Sequence, residues 1–527
     1  MKYILSRVYV LLGLLVVYAY IIYAVFEKEL KRGRCNALFL VYETLPAFYY
    51  FAAFALVAVY LTAVFRLYNC KELCFDVYGR KNLGYIGFLL IINAIFSLGF
   101  MIVFGGYVYH KIGFDATFFR FIADRIMISY FLPACFAVIG GFAIAYYFSI
   151  KNACIISCIF IYLTSPSFDA WSTIKPDLLE YVLIIKNFDF IQNWDAGGDT
   201  VYLYKWLKII GLICLTLVPV VKLITKKSKA IIAVLITFFI AGEVFYYMPQ
   251  DRSVEDYWTL RSEAYYFKKR DDLAKISFDN ESPFKIDSYD MDIKFTHMMS
   301  VKCDIKISPE DANKEAYDFT LYHSFRVSKV LYNGKKISYK RDGDYISVGK
   351  LGEGVLSIYY YGTHDDCSAN SRNIALSEYC PYYPTAGKKM VHRSEGVNND
   401  YDSLYRVKVN VKDIYTNLDQ KSTYVYEAVC NGPYIMKGYF EEVEVDGYKV
   451  VYGKYNNFYW IKKEDIGDVI HEITTVYPDV KPKFIALNCG TTRGYKRGRI
   501  YVGNGYIEAS ERFKAEDVLD AEDNWDE

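Results

Sequence analysis

The stretch "YDFTLYHSFRVSKVLYNGKKI", residues 317–337, alternates apolar and polar side chains and closes on Asn333-Gly334. A period of two puts successive side chains on opposite faces of a half-buried strand, and Asn-Gly supplies the positive φ of a tight hairpin. The pattern extends both ways. "FKIDSYDMDIKF" (284–295) and "SVKCDIKIS" (300–308) precede it; "DGDYISVGKLGEGVLSIYYYG" (342–362), "YRVKVNV" (405–411) and "FEEVEVDGYKVVYG" (440–453) follow. The spacing predicts a β-rich antiparallel domain over 273–460. A short α/β segment is expected over 461–515, followed by an acidic tail over 516–527.

Upstream of a charged linker at 251–272, the composition changes. Residues 1–250 are rich in Leu, Ile, Phe, Val, Ala and Tyr, with charges gathered in short clusters. Crossing about 30 Å of hydrocarbon takes roughly 20 apolar residues. Candidate spans are 6–26, 46–65, 84–106, 127–149, 152–167, 206–223 and 229–248, of which 152–167 is the shortest. The first lacks a small-residue cleavage site and reads as an uncleaved anchor. Two further apolar stretches, 35–47 and 177–194, read as interfacial helices. The expected fold is therefore a polytopic helical bundle of about seven spans joined to a β-rich domain.

Basic loops orient such a bundle. Residues 66–82 carry Arg66, Lys71, Arg80 and Lys81, and "KLITKKSK" (222–229) has four lysines. Both belong in the cytoplasm, which puts the N-terminus inside and the β-rich half outside the plasma membrane. "EKELKRGR" (27–34) runs against this scheme, and the short, Lys-dense 222–229 loop is given more weight. Glu243 falls within an apolar run, where a carboxylate is costly and marks a functional candidate. Its closeness to the end of the span also fits plain interfacial solvation.

The net charge of +1 over 527 residues argues against a nucleic-acid surface. The 12 cysteines make no disulfide framework. Cys367 and Cys380 form a candidate external disulfide whose pairing the sequence does not establish. The 53 tyrosines suit strands and membrane interfaces. Tyr382 and Tyr383, in "PYYP", are also candidates for an external binding surface.

Two resemblances follow. The layout of 1–250 is similar to the permease subunits of ABC-type exporters of the ABC-2 superfamily. This implies a coupling segment at 66–83, with Lys71, Glu72, Asp76, Arg80 and Lys81 as the polar residues available to a separate cytoplasmic ATPase. It also implies an external region at 168–205, an added helix at 229–248 and a dimer of membrane domains. The chain has no G-x-x-x-x-G-K-[ST] of its own. A solvated loop whose charges merely fix topology remains the plainer account of the coupling residues.

The order "LYHSFRVSKVLYNGKKI", "LSIYYYGTHDD", "SEYCPYYPTAGKKM", "LYRVKVNV" resembles the N-terminal β-saddle of the alanyl-aminopeptidase family of zinc peptidases. That family continues through a helix ending in Tyr-Pro into its catalytic domain, and "DVIHEITTVYPDVKPKFIALN" (468–488) fits this position. Its G-x-M-E-N segment is not matched by "TTRGYKRGRIY", and the acidic tail follows before a zinc helix. His471-Glu472 is thus not a zinc site: Thr475 stands where a second histidine would be. The six histidines (His110, His297, His323, His364, His392, His471) include no H-x-x-x-H. No catalytic residue, metal or cofactor is expected.

These readings predict a non-catalytic, permease-like membrane subunit whose external domain binds a peptide or an envelope partner. The rivals are the non-catalytic part of a split zinc aminopeptidase, and a membrane-anchored surface receptor. Anchoring alone needs one helix, not seven.

Overall fold

The computed structural model describes residues 2–32, 44–69, 75–112, 116–163, 203–224, 228–247, 278–364 (without 280), most of 367–391, 399–453, 466–487 and 500–509. It forms two compact units, one of the residues up to Tyr247 and one of those from Phe278 onward.

The first unit is helical. Among the described residues, five helices contain stretches long and apolar enough to cross a membrane: Val8–Glu27, Pro46–Val64, Gly84–Tyr107, Ile122–Tyr147 and Ser228–Phe245. The other two expected spans are helices outside that set. Ile150–Leu163 has 14 residues, a rise of about 21 Å, short of the hydrocarbon thickness. Leu203–Ile224 carries a buried Lys208 and an internal Pro219. The expected 66–83 connection is also shorter than predicted, because helix runs to Asn69 and resumes at Phe75. Charged residues end a membrane span without ending a helix. The stretches 35–43 and 177–194 lie outside the described residues.

Two local features shape this unit. Pro133 has no N–H, so the i→i−4 ladder cannot be completed there. The chain instead forms a π-turn over Met127–Phe131, with the Leu132 N–H bonded to the Met127 carbonyl. The second feature is glycine contact. Leu203–Ile224 and Ser228–Tyr247 pack as a hairpin in which a Cβ at Gly242 would meet the Leu207 carbonyl oxygen at 2.5 Å. One at Gly211 would meet the Phe239 Cα at 3.2 Å. Small residues let the backbones approach this closely.

The second unit is built of four sheets. Its largest has eight strands, in spatial order Asp419–Ser422, Val425–Cys430, Ser403–Val409, Ile286–Phe295, Met299–Ile307, Val355–Gly362, Arg326–Tyr332 and Lys335–Lys336. The turn at 333–334 has the anticipated geometry, φ 47° at Asn333 and 78° at Gly334. Every strand run quoted from the sequence is strand here. The antiparallel expectation needs one correction: Ile286–Phe295 pairs parallel with Ser403–Val409, Tyr289 beside Tyr405. These two strands are far apart in sequence, so no hairpin forces them to run opposite ways. A four-stranded sheet lies over the core, and a three-stranded sheet adds Ile374–Leu376 and Ile435–Lys437.

The C-terminal part is a mixed five-stranded sheet, Phe440–Val445, Tyr448–Gly453, Phe484–Leu487, Tyr506–Ala509 and Ile500–Gly503. The helix Ile466–Val476 packs Ile466, Ile470 and Ile473 on one face, against Val450, Ile485 and Ile507. The opposite face sets Val451, Phe484, Ala486 and Tyr506 against Tyr434 and Met436 at the strand Ile435–Lys437.

The glycine contact predicts that Gly242→Val destabilises the helical unit by about 1–3 kcal/mol, read as a lower melting temperature in detergent. Gly13→Val, where a side chain would meet nothing within 4 Å, should leave it nearly unchanged.

Candidate functional site

Among the described residues, a buried polar centre stands out in each unit. In the helical unit it is organised by Asn93, which is fully buried. Its amide nitrogen donates to the Phe131 carbonyl at 2.9 Å and lies 3.4 Å from Cys135 Sγ. Its oxygen accepts from Tyr50 Oη at 2.9 Å and from Ser97 Oγ at 3.5 Å. Phe131 closes the π-turn. One side chain thus joins three elements: Thr44–Asn69 through Tyr50, Phe75–Ile112 through its own backbone, and the turn through Phe131. Ser129, Arg125 and Lys208 are also buried among these helices.

Glu243 sits half-buried in the helix Ser228–Tyr247. The sequence named it without a partner. The Lys208 ammonium acts on it electrostatically, and the contact of Gly242 with Leu207 shows that the two helices touch at this level. Asp76, Arg80 and Lys81 lie in the opening turns of the helix Phe75–Ile112, not in a loop. Lys71 and Glu72 are outside the described residues.

In the second unit, the centre lies where the five-stranded sheet meets the chain after Ile374–Leu376. Tyr501 and Glu508 are register partners on neighbouring strands and project to the same side. Tyr501 Oη donates to Glu378 Oε1, and Ser377 Oγ donates to Glu508 Oε2 at 3.3 Å. Glu378 is 1 % exposed and Glu508 0 %. Burial pushes the Glu378 carboxyl up to about 7 against the Tyr501 hydrogen bond, which pulls it down. Burial and the Glu378 charge push the Tyr501 hydroxyl far above its usual value. Gly432 is required beside this centre: a Cβ there would lie 2.6 Å from Tyr383 Oη and 2.7 Å from Glu378 Cβ.

Several expected site residues have other roles. Tyr382 and Tyr383 are 0 % exposed and belong to the core, not to a binding surface. Tyr382 Oη donates to the Pro433 carbonyl at 2.7 Å. Tyr383 packs edge-on to Tyr289 and Tyr405, which stack at 4.7 Å. Tyr382 thus buries its ring and satisfies its hydroxyl internally. Cys367 and Cys380 are buried and are not joined in a disulfide. His471 is exposed on its helix, and Thr475 Oγ1 donates back to the His471 carbonyl at 2.7 Å. Among the described residues, no group of three or more His, Cys, Asp or Glu side chains is placed to hold a metal ion.

Sequence reasoning missed Asn93, Glu378, Tyr501 and Glu508. Asn93 left a signal, as the one carboxamide in "LLIINAIFSLGF" (89–100). Glu508 left little, since its inward direction is set by pairing with strands distant in sequence.

No family model matches the sequence, and no curated protein matches it. Similar solved structures include an M1 zinc metallopeptidase from Deinococcus radiodurans, with 13% identity over 45% of this chain and 62% of that one, at a TM-score of 0.29. An aminopeptidase N family protein from Idiomarina loihiensis has 10% identity over 43% of this chain and 42% of that one, at 0.29. Leukotriene A4 hydrolase from Saccharomyces cerevisiae has 13% identity over 46% and 44%, at 0.29. The chain spans less than two thirds of each. Likeness of this degree assigns it neither activity nor substrate.

Two outcomes test the site assignments. Asn93→Leu removes the side-chain bonds to the Phe131 carbonyl, the Tyr50 hydroxyl and the Ser97 hydroxyl, and should cost about 1–3 kcal/mol in thermal unfolding of the detergent-solubilised chain. Tyr383→Ala should destabilise the β-rich unit by about 3–5 kcal/mol, as large aromatic truncations in cores do, read as early loss of its tertiary circular dichroism.

Proposed function

We propose that the chain is an integral-membrane, permease-like subunit of an exporter, carrying a β-rich, saddle-like domain that binds rather than cleaves. The observation that carries this reading is the Asn93 centre. An anchor gains nothing from a buried carboxamide that ties two helices to a π-turn, whereas polar side chains and π-turns inside membrane bundles concentrate at functional places. Buried Lys208 beside Glu243 supports the same conclusion.

On this reading the chain works with a separate cytoplasmic ATPase, because its sequence contains no phosphate-binding loop of its own. Asp76, Arg80 and Lys81, with Lys71 and Glu72 before them, are the residues proposed to meet it. The N-terminus lies in the cytoplasm of a plasma-membrane protein, and the β-rich domain lies outside and takes a peptide or envelope ligand. A dimer of membrane domains completes the assembly. The order of β motifs between 321 and 411 favours descent of the external domain from a peptidase saddle. It equally suits the non-catalytic part of a split aminopeptidase, in which case zinc and its ligands come from another polypeptide.

Purification of the tagged chain from its native membranes decides between these. A co-purifying ATPase whose hydrolysis is altered by this chain, and uncoupled by Asn93→Leu, is expected. Recovery with an HExxH-bearing partner, and aminoacyl-substrate hydrolysis by the pair, would replace the exporter reading with the split peptidase.

A further inference from the structure

Glu378 and Glu508 lie on opposite sides of one seam. Glu378 belongs to the segment after Ile374–Leu376, and Glu508 to the five-stranded sheet. Each is bonded across the seam, Glu378 by Tyr501 and Glu508 by Ser377. The two bonds are reciprocal, since Ser377 adjoins Glu378 and Tyr501 is the register partner of Glu508. The apolar part of the contact consists of Tyr434 and Met436 against Val451, Phe484, Ala486 and Tyr506.

Charge is poorly provided for in this seam. Glu378 Oε2 has no hydrogen-bond partner among the described residues. The charged and titratable groups acting on or through Glu378 are Asp402, Tyr383, Cys430, Tyr501 and Glu508, none of them a cation. Lys483 also belongs to this region, and its ammonium is held by the Asn417 carbonyl and the Asp419 carboxylate, each at 2.6 Å. A carboxylate at position 378 would therefore be a buried charge with two donors, the Tyr501 hydroxyl and the Asn504 backbone N–H, and an acidic neighbourhood.

We propose that the seam is a protonation-dependent latch, in which Glu378 as the neutral acid docks the five-stranded sheet and its ionisation loosens that sheet from the rest of the unit. The direction of the pH effect follows from linkage. Docked Glu378 keeps its proton up to about pH 7, while the same carboxyl in the opened seam loses it at the ordinary carboxylate value. Over that interval the open form binds fewer protons, so the docked form loses stability as pH rises from the ordinary carboxylate range toward neutrality. Above that the loss is complete. At low pH the latch is fully engaged.

Hydrogen exchange on the full chain in detergent, corrected for intrinsic rates, tests this at about pH 5 and about pH 8. The strands Phe484–Leu487 and Tyr506–Ala509 should lose protection on the order of 50-fold at the higher pH, while Ile286–Phe295 is unchanged. Glu378→Gln should keep both strands protected at both pH values. Equal pH sensitivity in that variant, or none in the wild type, overturns the proposal. Asp402→Asn removes the acidic neighbour that raises the Glu378 carboxyl and retains Glu378, so it should shift the transition to lower pH. An unshifted transition is equally fatal, and this arm serves if Glu378→Gln does not fold.

Discussion

A polar side chain buried in a helical bundle has to find its partners there, and this constraint shapes the first unit. Pro133 cannot donate to the carbonyl four residues back, and the π-turn Met127–Phe131 lies just before it. Asn93 donates to the Phe131 carbonyl at the end of that turn and takes Tyr50 and Ser97 on its other side. The irregular turn and the buried carboxamide thus meet at one residue. Two helices are then fixed relative to the turn by one side chain.

The second unit meets the same requirement with tyrosine. Tyr289, Tyr360, Tyr382 and Tyr405 are fully or almost fully buried, yet each hydroxyl reaches a partner: the Pro384, Tyr382, Pro433 and Asn431 carbonyls respectively. Large rings give the core its volume, and their hydroxyls bond the irregular segments 381–384 and 431–433 to the strands. These segments have few ladder bonds of their own, so the tyrosines supply what a sheet would otherwise provide. This explains an interior that is both wide and polar at its edges.

The strands were legible because their signal is local. Alternation in 284–295 and the Asn333-Gly334 turn depend only on neighbouring residues, and both appear where the pattern put them. Direction of pairing was not legible, since Ile286–Phe295 meets Ser403–Val409 across more than a hundred residues of chain. The same limit hid the sites. "PYYP" looks like an aromatic surface in one dimension and is a core wedge in three. Glu378 and Tyr501 are 123 residues apart, and nothing in "SEYC" or "RIYVG" announces the other. Helix limits misled for a different reason: apolarity reports the membrane, not the hydrogen-bond ladder, so Asp76, Arg80 and Lys81 extend a helix that the hydrophobic pattern ends.

The His471 helix shows how far a motif can differ from its chemistry. Metal binding at i and i+4 needs two imidazoles on one face and open space above them. Thr475 instead turns its hydroxyl onto the helix's own carbonyl, a bond a threonine makes when nothing else claims it. The buried side of that helix is occupied by Ile466, Ile470 and Ile473, so its sequence is fully accounted for by covering a sheet. The carboxylates of this region that are buried, Glu378 and Glu508, face the opposite side of that sheet and hold it to its neighbour. Polar chemistry here has been directed inward, to assembly.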